Sequence, residues 1–302
     1  MPLAIEITEN DIEKIERSLG FAFIDSNRRA ALQCVTRKDI QAGPGSGKTT
    51  LLVAKLAILS SKWVWQDRGI CVLSHTNVAR QEVEKKLAHH PTAYKLLNYP
   101  HFIGTIQSFV DQFLALPHLR NNGIEVSMVD SERFGERALR LLPKFYKANG
   151  FMSKRQDGYD VVKTLRFEGN QLKLGSAKGA IPAGKHTDTY KELLKLKCKI
   201  AKEGLFRYDD MYSFAENYTE KYPQIIDSLR FRFPWVFIDE MQDTDSMQDG
   251  LIDRLFKEGC IFQKFGDINQ AIFKGAETES QSSFPLGEII DLPESKRFCP
   301  QI

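Results

Sequence analysis

The chain is 302 residues long, 42% hydrophobic and 27% charged, with a net charge of +3. That composition excludes a disordered or low-complexity polymer and leaves room for one large domain or two ordinary ones. The apolar runs are too short to span a bilayer, and no basic, apolar and small-residue series opens the chain as a secretory leader would.

Five scattered cysteines (Cys34, Cys71, Cys198, Cys260 and Cys299) show neither zinc nor redox spacing, so free thiols in a reducing cytoplasm are expected, with no membrane partner. Amphipathic spacing predicts short helices over 10–19 and 27–32, then a strand over 39–42, a glycine-rich turn and a helix over 48–60. GICVLS at 69–74 reads as a buried strand, 78–87 as a helix, 102–105 as a strand and 107–114 as a helix. The middle breaks this rhythm, with VVKTLRFEGNQLKL as a hairpin turning near Gly169–Asn170 and GSAKGAIPAG as a connector. WVFIDE, CIFQKFGD and EIIDL then read as three more strands. Strand–helix alternation predicts an α/β fold with a parallel sheet, whose ligands gather at the strands' carboxyl ends. Segment 151–205 holds twelve Lys/Arg against six Asp/Glu, while the remainder is net −3. That excess suits either a solvated face or a phosphate-tracking surface.

The run Ala42-Gly43-Pro44-Gly45-Ser46-Gly47-Lys48-Thr49, followed by Thr50, sits between a predicted strand and a predicted helix. It has the form of a phosphate loop. Glycines let successive N–H groups curl around phosphates at a helix start, Lys48 would bridge the outer phosphates, and the Thr49 hydroxyl would ligate Mg2+. Val236-Phe237-Ile238 followed by Asp239 and Glu240 supplies the second requirement. Asp239 would hold the metal ion, and Glu240 would act as general base toward water.

These blocks, with five others in the same order, resemble the UvrD/Rep/PcrA-like branch of superfamily-one helicases. The others are SHTNVARQEV, GTIQSF, YDDM, FGDINQAIF and LPESKRFCPQI. The resemblance implies a RecA-like ATP-binding lobe at 1–114 and 206–292, interrupted by a mainly helical, basic, DNA-facing insertion at 115–205. Residues 293–302 would begin the link to a second RecA-like lobe, in cis or in a partner protein. It further implies ATP and Mg2+ as ligands and single-stranded or partly duplex DNA as partner. Gln270 would sense the γ-phosphate and Arg297 would add positive charge there. His75, Thr76, Asn77, Thr105, Ser108 and Phe273 would face DNA. Asn27 lies where the family has its adenine-reading Gln.

This chain departs from the pattern at Asn27, at His75 for Phe, at Lys296 for Tyr and in a shortened QAIFKGA block. Similar divergence occurs in small stand-alone members, including helicase-like subunits of Gabija-type anti-phage systems. Two functions follow: an ATP-driven DNA motor of which this chain is the first lobe, hydrolysing weakly alone, or a nucleotide-sensing module that regulates a partner nuclease.

Overall fold

The computed structural model describes residues 5–20, 22–43, 45–267 and 288–292. The chain divides into two compact units, Met1–Ile106 with Ile225–Ile302, and Gln107–Gln224.

The first unit opens with α1 (Glu9–Leu19), where the Thr8 N–H donates to the Asp11 carboxylate at 2.8 Å and Gly20 closes the helix at φ +74°. In α2 (Ser26–Gln33) the Asp25 side chain caps the first turn by accepting the Asn27 N–H. Then come β1 (Asp39–Ala42), α3 (Lys48–Lys62), β2 (Ile70–Ser74), α4 (Asn77–Ala88) and β3 (Phe102–Thr105).

The chain enters the second unit along α5 (Ile106–Val110). A plain helix was expected here, but residues Asp111–Ala115 form a π-helical turn that leads into α6 (Leu116–Asn121). Next are β4 (Met128–Val129), α7 (Ser131–Leu141), α8 (Tyr146–Met152), α9 (Gly158–Lys163) and the hairpin of β5 (Leu165–Glu168) with β6 (Lys173–Ser176). The unit ends with α10 (Asp188–Lys202), β7 (Leu205–Phe206), which pairs with β4, and α11 (Tyr208–Lys221). It begins before, and runs past, the span 115–205 read as an insertion, because α11 packs on β5, α6 and the π turn. Its core gathers Phe134, Leu141, Met152, Val162, Leu193 and Ile200. Buried Lys197 lies 2.5 Å from Asp210 and 3.9 Å from the centre of the Phe134 ring.

Back in the first unit, α12 (Gln224–Arg232), β8 (Trp235–Asp239), α13 (Ser246–Phe256), β9 (Ile261–Gly266) and β10 (Ile289–Leu292) complete the sheet. Its order is β10-β1-β9-β8-β2-β3, with parallel pairing throughout the described strands. All five residues of β2 and of β8 are buried, as expected of parallel strands covered on both faces. Helix α3 is buried from Leu51 to Ser60 and anchors the core through Leu52, Leu56 and Leu59. Burial of each such leucine contributes about 1.5–3 kcal/mol.

Two lysines are locked inside this unit. Lys264 on β9 reaches Asp249 and Asp253 of α13 at 2.7 Å each. Lys55 on α3 donates to the Ala31 and Cys34 carbonyls and to Gln263 Oε1. Cys34, Cys71, Cys198 and Cys260 are free thiols. No helix among the described residues is long and apolar enough to cross a membrane.

Candidate nucleotide site

Register puts the chemistry on one edge of the sheet. Ser74 on β2 pairs with both Thr105 and Asp239, and Gln41 on β1 pairs with Gly266. The carboxyl ends of β1, β2, β3, β8 and β9 therefore line up, and the turns leaving them are neighbours.

From β1 the chain turns through Gly43 to Gly47. The Ser46 N–H donates to the Gly43 carbonyl at 3.1 Å, and Gly45 and Gly47 adopt φ +74° and +87°. An L side chain is strained at those angles, so glycine is required for the curl. A Cβ on Gly43 or Gly47 would meet no atom within 4 Å, so the curl is an open backbone cradle at the start of α3. Thr49 and Thr50 lie in the first turn of α3, with Ala42 buried at the end of β1. Pro44 lies outside the described residues.

Lys48, the first residue of α3, is almost buried and places Nζ 3.0 Å from Glu240 Oε2. Glu240 follows β8 with φ +56° and ψ +49°, a left-handed conformation that costs a non-glycine residue about 1–3 kcal/mol. Gln242 donates Nε2 to the same Glu240 oxygen at 2.5 Å and accepts the Asp267 N–H at 3.0 Å through Oε1. Asp267, just past β9, also accepts from Gln41 Nε2 at 3.2 Å. A hydrogen-bonded chain thus runs from Lys48 through Glu240 and Gln242 to Asp267 and Gln41. Asp239 ends β8 almost fully buried. Burial first, and the neighbouring Glu240 charge second, push its carboxyl up to about 7, against the pull of Lys48.

The residues fit a magnesium nucleotide on their own chemistry. The cradle offers backbone donors and a lysine for phosphates. Asp239 is a carboxyl group that accepts the Glu240 N–H at 3.1 Å and makes no ion pair among the described residues, and the Thr49 hydroxyl lies in the first turn of the adjoining helix. No cluster of three or more His, Cys, Asp or Glu side chains suited to a metal ion exists among the described residues. Mg2+ does not require one, because it keeps several waters and binds through one or two protein oxygens plus phosphates.

His75 and Thr76 follow β2 directly. Thr76 Oγ1 caps α4 by accepting the Ala79 N–H, Asn77 is exposed beside it, and His75 Nδ1 is buried without a hydrogen-bond partner among the described residues. Thr105 closes β3, and Ser108 lies in the second unit. Asn27 is turned elsewhere: its Nδ2 donates to the Asp291 carbonyl on β10 at 2.9 Å. Its neighbour Arg28 is buried against the loop, donating to the Ser46 carbonyl at 2.9 Å and to Asp25 at 2.7 Å. Gln270, Phe273 and Arg297 lie outside the described residues, as does the predicted link 293–302. Arg28 and Gln41 were not singled out from sequence. A glutamine inside a fully buried strand was the available signal for Gln41, whereas Arg28 reads as one member of an ordinary basic pair.

Residues 24–285 match the UvrD/REP helicase N-terminal domain family. The chain is 25% identical to DNA helicase II of Escherichia coli (strain K12) over 291 residues, covering 92% of this chain and 39% of that protein. It is 23% identical to the ATP-dependent DNA helicase PcrA of Bacillus subtilis (strain 168) over 280 residues, covering 87% and 36%. Against the ATP-dependent DNA helicase PcrA of Staphylococcus epidermidis it is 24% identical over 263 residues, covering 85% and 34%. The chain thus spans between a third and two-fifths of the length of these relatives. With its cradle at the start of α3 and its acids at the end of β8, on a parallel α/β sheet, the chain belongs to the UvrD/REP helicase N-terminal domain family.

Proposed function

We propose that the first unit binds Mg-ATP on the 43–49 cradle and that its hydrolysis drives movement along single-stranded or partly duplex DNA once a second lobe, in cis or from a partner, faces the site. The carrying observation is the Lys48–Glu240 ion pair held at the mouth of the cradle by Gln242. A nearly buried ammonium needs an opposite charge, and Glu240 supplies it. An arriving triphosphate would take over Lys48, since phosphate oxygens offer a charge-assisted partner of the same sign as the carboxylate. Glu240 would then be released to accept a proton from the attacking water. Mg2+ would supply charge neutralisation between the outer phosphates, with Thr49 and Asp239 holding it. Gln242 joins Glu240 to Asp267, so a change at the general base reaches the segment that leads toward Gln270.

His75, Thr76, Asn77, Thr105, Ser108 and Phe273 would contact DNA, and the exposed lysines of the second unit would offer further contacts to its phosphate backbone. Hydrolysis by this chain alone would be weak, because a transition-state arginine from a second lobe is worth about 10³–10⁵ in rate.

The test is a pair of variants. Lys48→Ala should weaken Mg-ATP binding by roughly 10–100-fold, the worth of a charge-assisted contact. Glu240→Gln should retain binding while turnover falls by about 10²–10⁴. Equal affinity of wild type and Lys48→Ala in a nucleotide titration would remove the assignment.

A further inference from the structure

The opposite edge of the sheet carries a surface that the nucleotide site does not use. Ser74 pairs with Asp239 at the ends of β2 and β8, and Ile70 pairs with Trp235 at their starts, about 13 Å away along the strands. Three segments converge at those starts. Residues 63–68 lead from α3 into β2, and Trp63 Nε1 closes their turn by donating to the Arg68 carbonyl at 2.8 Å. The Gly69 N–H donates to the Arg232 carbonyl at 2.7 Å, which ties this turn to the end of α12. A Cβ on Gly69 would collide with the Pro100 carbonyl, so the segment before β3 lies against the same turn.

Arginine and large apolar groups gather there. Val64 is 77% exposed, Tyr99 71% and Phe231 53%. Arg68 Cζ stands 4.1 Å from the centre of the Phe231 ring, and Arg232 Cζ 5.3 Å from that of Tyr99. Segments 63–69, 99–101 and 227–233 contain no lysine. Aromatic and arginine enrichment with lysine depletion is the composition of protein–protein interface cores.

Charge selects the partner. The Phe231 ring attracts the Arg68 guanidinium but supplies no oxygen to its N–H fork. Among the described residues Arg68 makes no ion pair, in contrast to Arg29 with Glu16. A carboxylate fits that fork. A nucleic-acid backbone fits less well: the three segments set three arginines against the exposed Asp67 and Asp227, a weak track for phosphates. A second copy docked patch on patch would bring like arginines together. We propose that this edge docks an acidic segment of a partner protein, with a carboxylate on Arg68 and an apolar side chain against Tyr99 and Phe231.

The probe comes from panning a random phage-displayed peptide library on the whole chain. Counter-selection on a Val64→Ser, Tyr99→Ser double variant confines it to this patch without biasing its charge. The enriched peptides should combine Asp or Glu with an aliphatic or aromatic residue. A labelled synthetic copy of the most enriched peptide should lose at least about tenfold in affinity for Arg68→Glu, and its affinity for the native chain should fall with added salt. An unchanged melting temperature shows that each variant is folded. Should Arg68→Glu fail to fold, Arg68→Gln should show the same loss. Absence of enrichment, enrichment of peptides without acidic residues, or equal peptide affinity for the Arg68 variants overturns the proposal. So does a fall in single-stranded DNA affinity in Arg68→Glu with peptide affinity intact, which would make nucleic acid the occupant. A dimer in sedimentation that Arg68→Glu separates would make the occupant a second copy and overturn it as well.

Discussion

Several side chains of the first unit are held in states that water would not choose, and each has a stated local cause. Glu240 keeps a left-handed backbone so that its carboxylate meets Lys48 and Gln242 rather than continuing the line of β8. Burial pushes the Lys55 ammonium down to about 7, while three oxygen acceptors surround it. His101 is the clearest pH-sensitive element of the fold outside the site. Its Nδ1 accepts the Ile70 N–H at 3.0 Å, and burial lowers its ring to about 4 from the usual 6.5. The folded chain therefore holds His101 neutral where the unfolded chain protonates it, so stability is present above pH 6.5 and is lost as pH falls toward 4. Partial exposure of the ring reduces the full linkage value to about 1–2 kcal/mol. Urea titrations at pH 7 and pH 4.5 should show a smaller loss for His101→Gln than for the native chain; identical losses would assign the pH dependence elsewhere.

At the scale of elements, α10 separates the two readings of the basic segment. Lys191, Lys195, Lys199 and Lys202 are all exposed, while Leu193, Leu196 and Ile200 are buried on the other side. Spacings of three and four residues put these lysines on one face at intervals of about 5–6 Å. Among the described residues none of the four has an ion-pair partner, in contrast to Lys147 with Asp188 and Arg137 with Glu203 nearby. If this row tracks a phosphate backbone, changing all four to Gln should cut the slope of log affinity against log salt by roughly two to three units for single-stranded DNA, with thermal stability retained. An unchanged slope would return α10 to the status of a solvated helix face. The hairpin of β5 and β6 around Gly169 was legible beforehand, because alternating side chains and a Gly-Asn turn encode it locally. The π turn after Val110 was not, since its packing against α11 lies a hundred residues away in the chain.

At the scale of the molecule, the parallel sheet collects on one edge groups far apart in the chain: Lys48, Glu240 and Asp267 join a single hydrogen-bonded chain. A site at the edge of a lobe is suited to completion by a second surface, which sets the expected behaviour in solution. Turnover by this chain should be slow, and in a polypeptide that also carries a second lobe it should rise at least about tenfold with single-stranded DNA, measured as phosphate release. Indifference to every oligonucleotide would count against the motor and favour a nucleotide-sensing role toward a partner such as a nuclease.

The α/β class, the glycine-rich curl before α3 and the adjacent acids at the end of β8 were legible in sequence alone, because each depends on residues adjacent in the chain. Glycines permit the curl, the helix follows within two residues, and a buried strand delivers Asp239 and Glu240 to its own end. Tertiary structure decided the partners. Gln41 meets Asp267, Gln242 bridges two strand ends, and α2 turns Arg28 rather than Asn27 to the cavity beside Gly47 and Thr50. Those outcomes depend on register between distant strands and on the rotation of a short helix against its neighbours. Both are set by how the core packs around Leu52, Leu56 and Phe237, not by the identity of the residue that ends up facing the cavity.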